Sequence, residues 1–242
     1  MIKKLLRATL SRIGYELVNK NYQLNKKFTM EASLQRCLKR GIHVNTVIDV
    51  GASNGMWSKM CLNHFDQAKY LLIEAQQPHE KDLAAFKSQN SKIDYVLAAA
   101  GPRKGKIFFD TSSLLGGVAS DTPLNENFVE VPVTTIDDEV RNRGLKPPFL
   151  IKLDTHGFEV PILEGALETL KNASLVIIET YNFKLREGSL RYHEMVAYME
   201  KLGFSSIEIA DLLLRSKDKS LWQMDTFFIR SDAKEFESVS FN

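Results

Sequence analysis

Only two cysteines occur in the 242 residues, Cys37 and Cys61, and they lie in unrelated segments with no metal-type spacing. This excludes a disulfide framework and a cysteine-ligated zinc site, and it fits ordinary thiols in a reducing compartment, with cytoplasm as the default. Long apolar runs are missing as well, and no stretch reaches the ~20 residues of a transmembrane helix. Charge of one sign is scarce over the whole chain: 32 Lys+Arg against 30 Asp+Glu leave a formal +2, which argues neither for nor against nucleic acid. There is no internal repeat and no low-complexity tract. A hydrophobic fraction of 44% is enough for a full core, so one domain with an N-terminal extension is expected.

The charges are unevenly placed. Residues 1–44 hold ten Lys/Arg and two Asp/Glu, so the remainder is acidic on balance. Within the first twenty residues Ile2, Leu5, Leu6, Leu10, Ile13 and Leu17 recur at roughly helical spacing, with Lys3, Lys4, Arg7 and Arg12 between them. This predicts an amphipathic basic helix. It either covers one edge of the core or meets an anionic membrane surface as a peripheral contact through residues 1–20. A signal peptide is not expected, because charges interrupt the run before an apolar segment forms and no small-residue cleavage site follows. The expected divisions are a basic helical extension over 1–44, a main domain over 45–232 and a tail over 233–242.

From residue 46 short β-branched apolar runs alternate with helical patterns, the signature of βαβ units and a parallel sheet. Strands are predicted at Thr46–Val50, Lys69–Glu74, Tyr95–Ala99, Phe149–Leu153, Leu175–Glu179, Ser205–Ile209 and Thr226–Ile229. Helices are predicted at Met56–Phe65, Lys81–Lys87, Asp137–Arg143, Pro161–Leu170 and Tyr192–Leu202, with Pro161 tolerated in a first turn. Between residues 101 and 135 the rhythm breaks. Lys106–Phe109 and Val129–Val133 read as an inserted strand pair around a turn-rich, mobile substrate-side loop, Ser112–Asn127. The fold class is therefore α/β, a Rossmann-like doubly wound, mostly parallel sheet.

The segment Val47-Ile-Asp-Val-Gly-Ala-Ser-Asn-Gly55 is a strand that runs into a tight turn and opens a helix. Gly51 and Gly55 allow close backbone approach, and Asn54 tolerates a left-handed conformation between them. Such turns sit at strand carboxyl ends, where open α/β sheets bind ligands. Glu74 ends the next strand about twenty residues on, where a carboxylate accepts from both ribose hydroxyls. Loop and acid together indicate an adenosine-type ligand. A pyrophosphate binder would show Gly-x-Gly-x-x-Gly, whereas this loop is Asp-x-Gly-x-x-x-Gly. Asp49 would repel a pyrophosphate and accept, directly or through water, from an ammonium group. This favours S-adenosylmethionine over NAD, with Asp49, Gly51, Ala52, Ser53, Asn54, Gly55, Glu74 and Ala99 as cofactor-binding candidates.

A second strand and turn, Phe149-Leu-Ile-Lys-Leu-Asp-Thr-His-Gly-Phe-Glu159, is followed by Pro161-Ile-Leu-Glu-Gly-Ala166 on a helix. With the first loop, these segments resemble the FkbM family of methyltransferases, which pairs Val-Ile-Asp-Val-Gly-Ala-Asn-x-Gly with Ile-Lys-Ile-Asp-x-x-Gly-x-Glu and x-x-Leu-x-Gly-Ala. Leu72-Ile-Glu-Ala75 resembles the family's ribose-binding strand end, and Val133-Thr-Thr-Ile-Asp-Asp138 its Thr-Leu-Asp-Asp stretch. Gln223-Met-Asp-Thr-Phe-Phe228 is similar to the closing strand of one branch. The resemblance runs from about Thr46 to about Arg230. Ser53 stands where Asn is commoner, and His156 where Glu or Gln is commoner. The resemblance implies a class I methyltransferase acting on a hydroxyl of a sugar, glycan or secondary metabolite.

Methyl transfer from a sulfonium demands alignment of the acceptor and, for a hydroxyl, removal of its proton. Asp154, His156 and Glu179 come from carboxyl ends of neighbouring predicted strands and are the catalytic candidates. His156 is the best base, with a reference pKa near 6.5, or it orders the turn without moving a proton. Glu159 is expected to fix its own turn, and Tyr181, Asn182 and Phe183 to line the acceptor pocket. His43, His64, His79 and His193 read as surface or packing residues. A Mg²⁺ route through Asp154, Glu179 and Asp225 is a second mechanism, disfavoured by His156, since Mg²⁺ prefers carboxylates and water to imidazole. No metal site is assigned. The expected partner is a small-molecule or glycan acceptor, not nucleic acid, and oligomeric state is left open. Rival functions are a nucleotide-linked oxidoreductase and a catalytically silent cofactor-binding scaffold.

Overall fold

The structure is a computed structural model that describes residues 26–114, 116–120, 122–123 and 126–241. The amphipathic segment over residues 1–20 lies outside them. Seven strands form one sheet in the order β10-β11-β9-β8-β1-β2-β3. They are β1 (Thr46–Val50), β2 (Lys69–Glu74), β3 (Ile93–Leu97), β8 (Phe149–Leu153), β9 (Ala173–Tyr181), β10 (Phe204–Leu214) and β11 (Leu221–Arg230). The pairings β3·β2, β2·β1, β1·β8 and β8·β9 are parallel, and β11 runs antiparallel to both β9 and β10. Chain order reverses between β1 and its neighbours β2 and β8, the switch point at which such sheets bind ligands.

Strands β1 and β8 are buried along their whole length, as expected of parallel strands covered on both faces. Alternate residues feed two cores. Ile48, Val50, Ile151, Leu153, Val176 and Ile178 face helices α4 (Ile136–Arg143), α5 (Glu159–Glu164), α6 (Leu167–Leu170) and α7 (Tyr192–Lys201). Val47, Leu150, Leu175, Ile177 and Phe227 face α1 (Met30–Lys39), α2 (Met56–Cys61) and α3 (Glu80–Gln89). Helix α1 starts at Thr29, whose hydroxyl accepts from the Ala32 amide at 3.2 Å. Its Arg36 and Arg40 close on Glu208 of β10 at 2.8 and 2.5 Å, and its Met30, Leu34 and Cys37 are buried. No helix among the described residues is long and apolar enough to cross a membrane.

The insertion is a small sheet in the order β4-β7-β5-β6, made of Ala99–Ala100, Phe128–Thr134, Gly105–Asp110 and Ala119–Ser120. Its antiparallel β5·β7 ladder matches the expected strand pair. The turn-rich segment carries the short strand β6 instead of being loop throughout. The predicted third strand divides at Ala98, so that Ile93–Leu97 stays in the large sheet while Ala99–Ala100 joins the small one. The helix expected over Pro161–Leu170 breaks into α5 and α6. Gly165 sits so close to the next segment that a Cβ there would lie 2.1 Å from the Gly101 carbonyl oxygen. Helix α2 stops at Cys61, short of the predicted Phe65, and the last two strands extend well beyond their apolar cores.

Candidate active site

The first loop leaves β1 through Gly51, whose φ of 77° is followed by 49° at Ser53 and 78° at Gly55. The left-handed residue inside the turn is therefore Ser53, not Asn54. Asn54 instead accepts from the Met56 amide at 3.2 Å, an Asx-type bond that serves the turn in another way. Gly51 donates to Ile73 O at 2.9 Å, and a Cβ there would come within 2.1 Å of Asp154 O. The glycine is what lets the two ligand-side turns touch.

Glu74 is 5% exposed at the end of β2. Its Oε2 accepts from the Ser53 amide and its Oε1 from the Gln76 amide, both at 2.7 Å. A carboxylate has about four acceptor positions, so each oxygen keeps one for a ligand hydroxyl. Asp49 is 1% exposed, and its Oδ2 accepts from the Ser58 hydroxyl at 2.6 Å. Burial pushes its carboxyl up to about 6, against the Ser58 hydrogen bond and the Lys152 charge.

In the second turn, Lys152 is 2% exposed. Its Nζ lies 3.2 Å from Asp154 Oδ2 and 3.1 Å from Asp225 Oδ1. Burial opposes its charge most, yet Asp154, Asp225, Glu179 and Asp49 together raise its pKa. For Asp154 burial acts upward, but Lys152 first and then His156 hold the carboxyl below its ordinary value. Asp225 behaves oppositely, since burial pushes it up to about 6 despite Lys152, with Asp154 and Glu179 adding to the rise. Its Oδ1 is close to the ammonium but makes no hydrogen bond. One lysine thus serves four carboxylates, and the site is net negative.

His156 follows at φ 51°, with its Nδ1 2.8 Å from the Tyr181 hydroxyl and 3.3 Å from Glu179 Oε2. The Tyr181 hydroxyl donates to Glu179 Oε2, and the Gln223 amide donates to Glu179 Oε1. Glu159, 3% exposed, accepts from the Gly157 amide at 2.8 Å and the Thr155 hydroxyl at 3.1 Å. It closes its own turn.

A cleft with an empty volume of about 730 Å³, open mouth included, joins the two turns, within the usual size of a small-molecule site. Gly51, Ser53, Glu74, Ala99, Asp154 and His156 line it. Asp49, Ala52, Asn54, Gly55 and Glu179 are not on its wall. Asp49 lies beneath the loop and Glu179 behind Tyr181. The rest of the wall is mainly apolar, with Ala75, Ala98, Phe109, Leu114, Phe158 and Ile162.

The methyltransferase FkbM domain matches residues 49–206, a span that contains both turns. The chain belongs to the FkbM methyltransferase family. The FkbM methyltransferase of Methylobacillus flagellatus KT is similar in structure at 17% identity, with a TM-score of 0.49, and 75% of this chain is covered. This chain spans 43% of that protein's length. The N-methyltransferase NodS of Bradyrhizobium japonicum WM9 is similar at 11% identity and TM-score 0.47, covering 83% of this chain and 93% of that one. An S-adenosylmethionine-dependent methyltransferase of Clostridium acetobutylicum ATCC 824 gives 9% and 0.46, with 85% and 92% covered. Among curated proteins no sequence relative was found.

The residues of this FkbM methyltransferase fit an S-adenosylmethionine donor. Glu74 retains acceptor capacity at the cleft wall, Gln76 keeps a buried amide oxygen with no partner, and the net negative cluster suits a cationic ligand. They fit Mg²⁺ poorly. Asp154, His156 and Glu179 do offer donor atoms within 4.8 Å of one another. However, Asp154 and Asp225 already face the Lys152 ammonium, Glu179 is held by Tyr181 and Gln223, and the third donor is an imidazole.

A second, more open cavity shares Gly116 and His156 with the cleft, and Tyr181, Leu185, Arg186 and Trp222 line it. Trp222 stacks on Phe183 with ring centroids 5.4 Å apart. Of the residues expected in an acceptor pocket, Tyr181 lines this cavity and Phe183 supports it. Asn182 is exposed and does not line it.

Sequence reasoning gives no site role to Lys152, Ser58, Gln76, His79 and Trp222. Lys152 carried a signal, as a lone charge inside an otherwise apolar strand. His79, expected as a surface or packing residue, is 6% exposed, with its Nε2 2.9 Å from Leu114 O and 3.4 Å from Ser53 Oγ. No local pattern marked it.

Proposed function

We propose that this FkbM methyltransferase transfers the methyl group of S-adenosylmethionine to a hydroxyl oxygen of a sugar, glycan or related secondary metabolite. The observation that carries the reading is the chain His156–Tyr181–Glu179 where the two cavities meet. The Tyr181 proton is committed to Glu179, so the Tyr181 oxygen accepts from His156 Nδ1–H. The Nε2 lone pair is then the basic end of the imidazole.

An acceptor lying along Trp222 brings its hydroxyl to His156 at the cleft. His156 Nε2 takes the hydroxyl proton, and the oxygen forms a bond to the methyl carbon. The bound donor supplies that methyl on a sulfonium, whose sulfur keeps the electron pair of the broken C–S bond. Asp154 and Lys152 hold the turn that carries His156. The net negative cluster also argues against a nucleotide-linked oxidoreductase, whose pyrophosphate it would repel.

Calorimetry with S-adenosylmethionine and S-adenosylhomocysteine, followed by a methyl-transfer screen on sugar nucleotides and glycans, tests the reading. Absence of binding by either ligand would end it. His156→Ala should leave S-adenosylhomocysteine affinity within about twofold and lower turnover by ~10²-fold or more. Undiminished turnover would remove His156 as the base.

A further inference from the structure

Gln76 stands just past β2 on the wall of the cleft and is 4% exposed. Its Nε2 donates to two backbone carbonyls, Ser113 O at 3.1 Å and Leu114 O at 3.2 Å. Two acceptors on that side decide which end of the amide is nitrogen, since an oxygen there would face two oxygens. The amide oxygen is therefore the end left over, and it is buried without a partner. An acceptor stranded in this way destabilises the fold, and folded proteins keep few of them. A donor carried by the ligand of the cleft removes that cost.

The donors of an adenosyl ligand can be assigned by elimination. Its ribose hydroxyls belong with Glu74, and its ammonium belongs with the carboxylates around Lys152. The remaining N–H donor is the 6-amino group of the purine. Backbone at Gln76 is extended, with φ −89° and ψ 114°, so Glu74 and Gln76 are about 7 Å apart along the chain. That matches the way a purine amine lies beyond its ribose. Ala75, Phe109 and Leu114 supply apolar wall for the flat base between them.

We infer that Gln76 Oε1 accepts a hydrogen bond from the 6-amino group of the donor's adenine, and that this bond distinguishes adenosyl from other purine nucleosides. The inference rests on S-adenosylmethionine being the donor. Because the same amide tethers Ser113 and Leu114, base recognition also braces the loop that roofs the cleft.

Calorimetry on the full chain tests it with three ligands: S-adenosylhomocysteine, its 6-oxo inosyl counterpart and the purine-riboside counterpart that lacks the 6-substituent. The wild-type protein should bind the adenosyl ligand about tenfold or more tightly than either of the others. Gln76→Leu should bring the three within about twofold. Equal binding of the adenosyl and desamino ligands by the wild-type protein overturns the inference, with no variant needed, as does an unchanged ratio in Gln76→Leu. If S-adenosylhomocysteine itself fails to bind, the donor assignment falls and takes the inference with it.

Discussion

Lys152 Nζ lies 3.2 Å from the Asp154 carboxylate, at the point where β8 passes into the turn carrying His156. The lysine is buried but the Asp154 side chain is 39% exposed, so breaking the pair leaves partly screened charge. Against the ~3–5 kcal/mol of a fully buried pair, the cost is about 2 kcal/mol. Lys152→Met should destabilise the protein by that order, measured by urea unfolding at pH 7.5. Adding Asp225→Asn should recover part of the loss, because it removes one of the carboxylates left unpaired. A Lys152→Met variant as stable as the wild type would show that the lysine does not hold the cluster together.

Asp49 gives the protein a pH dependence whose sign follows from its environment. Its folded pKa, about 6, exceeds the ordinary 3.8 because burial disfavours the charge. The folded chain therefore holds an extra proton between those values. The contribution of Asp49 to stability is full below pH ~4 and is lost as the pH rises through 6. Asp49→Asn, which can still accept from Ser58, should be more stable than wild type at pH 7.5 by up to about 3 kcal/mol. The gap should close toward pH 4. Thermal melts across that range would expose an opposite trend.

The same carboxylate should link donor binding to pH. The ammonium of the ligand's amino-acid group favours ionised Asp49, so the wild-type affinity for S-adenosylhomocysteine should rise as the pH goes from 5 to 7. Asp49→Asn should bind more weakly and lose most of that rise. Parallel calorimetric titrations at three pH values decide the matter, and superimposable profiles for the two proteins would refute it.

Glu74→Gln tests the ribose assignment. Each carboxylate oxygen accepts one backbone N–H, and an amide has only one oxygen, so one of those N–H groups must face an NH₂. Folding should weaken by about 1–3 kcal/mol. Affinity for S-adenosylhomocysteine should fall tenfold or more. Unaltered affinity would place the ribose elsewhere.

Gly51→Ala should be among the most damaging small changes in the chain. Its φ of 77° strains any side chain, and the added Cβ would meet Asp154 O at 2.1 Å. Loss of more than about 3 kcal/mol, or failure to fold, is expected. Gly105→Ala is the control, since nothing lies within 4 Å of a Cβ there; its melting temperature should stay close to wild type.

Much of the architecture was legible because it rests on local periodicity. Thr46–Val50, Lys69–Glu74 and Phe149–Leu153 are mainly apolar runs of strand length, and the structure gives those same bounds. The errors have tertiary causes. Ala98 separates two sheets because Ala99 and Ala100 find partners in β7, thirty-four residues away in sequence. Gly165 interrupts a helix because Gly101 passes against it. In the first turn, Ser53 takes the left-handed conformation although Asn54 has the higher intrinsic tolerance. The hydrogen bond from its amide to Glu74 holds it there.

By itself the sequence determined the α/β alternation, the glycine turn after β1, the acid after β2 and the presence of a second polar turn after β8. Those features depend on residue type and spacing along the chain. Only the tertiary structure decided how they act together. It set Asp49 beneath the loop, Lys152 among four carboxylates, Tyr181 between His156 and Glu179, and the Gln76 amide oxygen in a buried place without a partner. These relationships join segments up to 176 residues apart, as Asp49 and Asp225 are. The physical reason is that desolvation and hydrogen-bond satisfaction depend on every neighbour packed around a group, and packing brings those neighbours from distant parts of the chain.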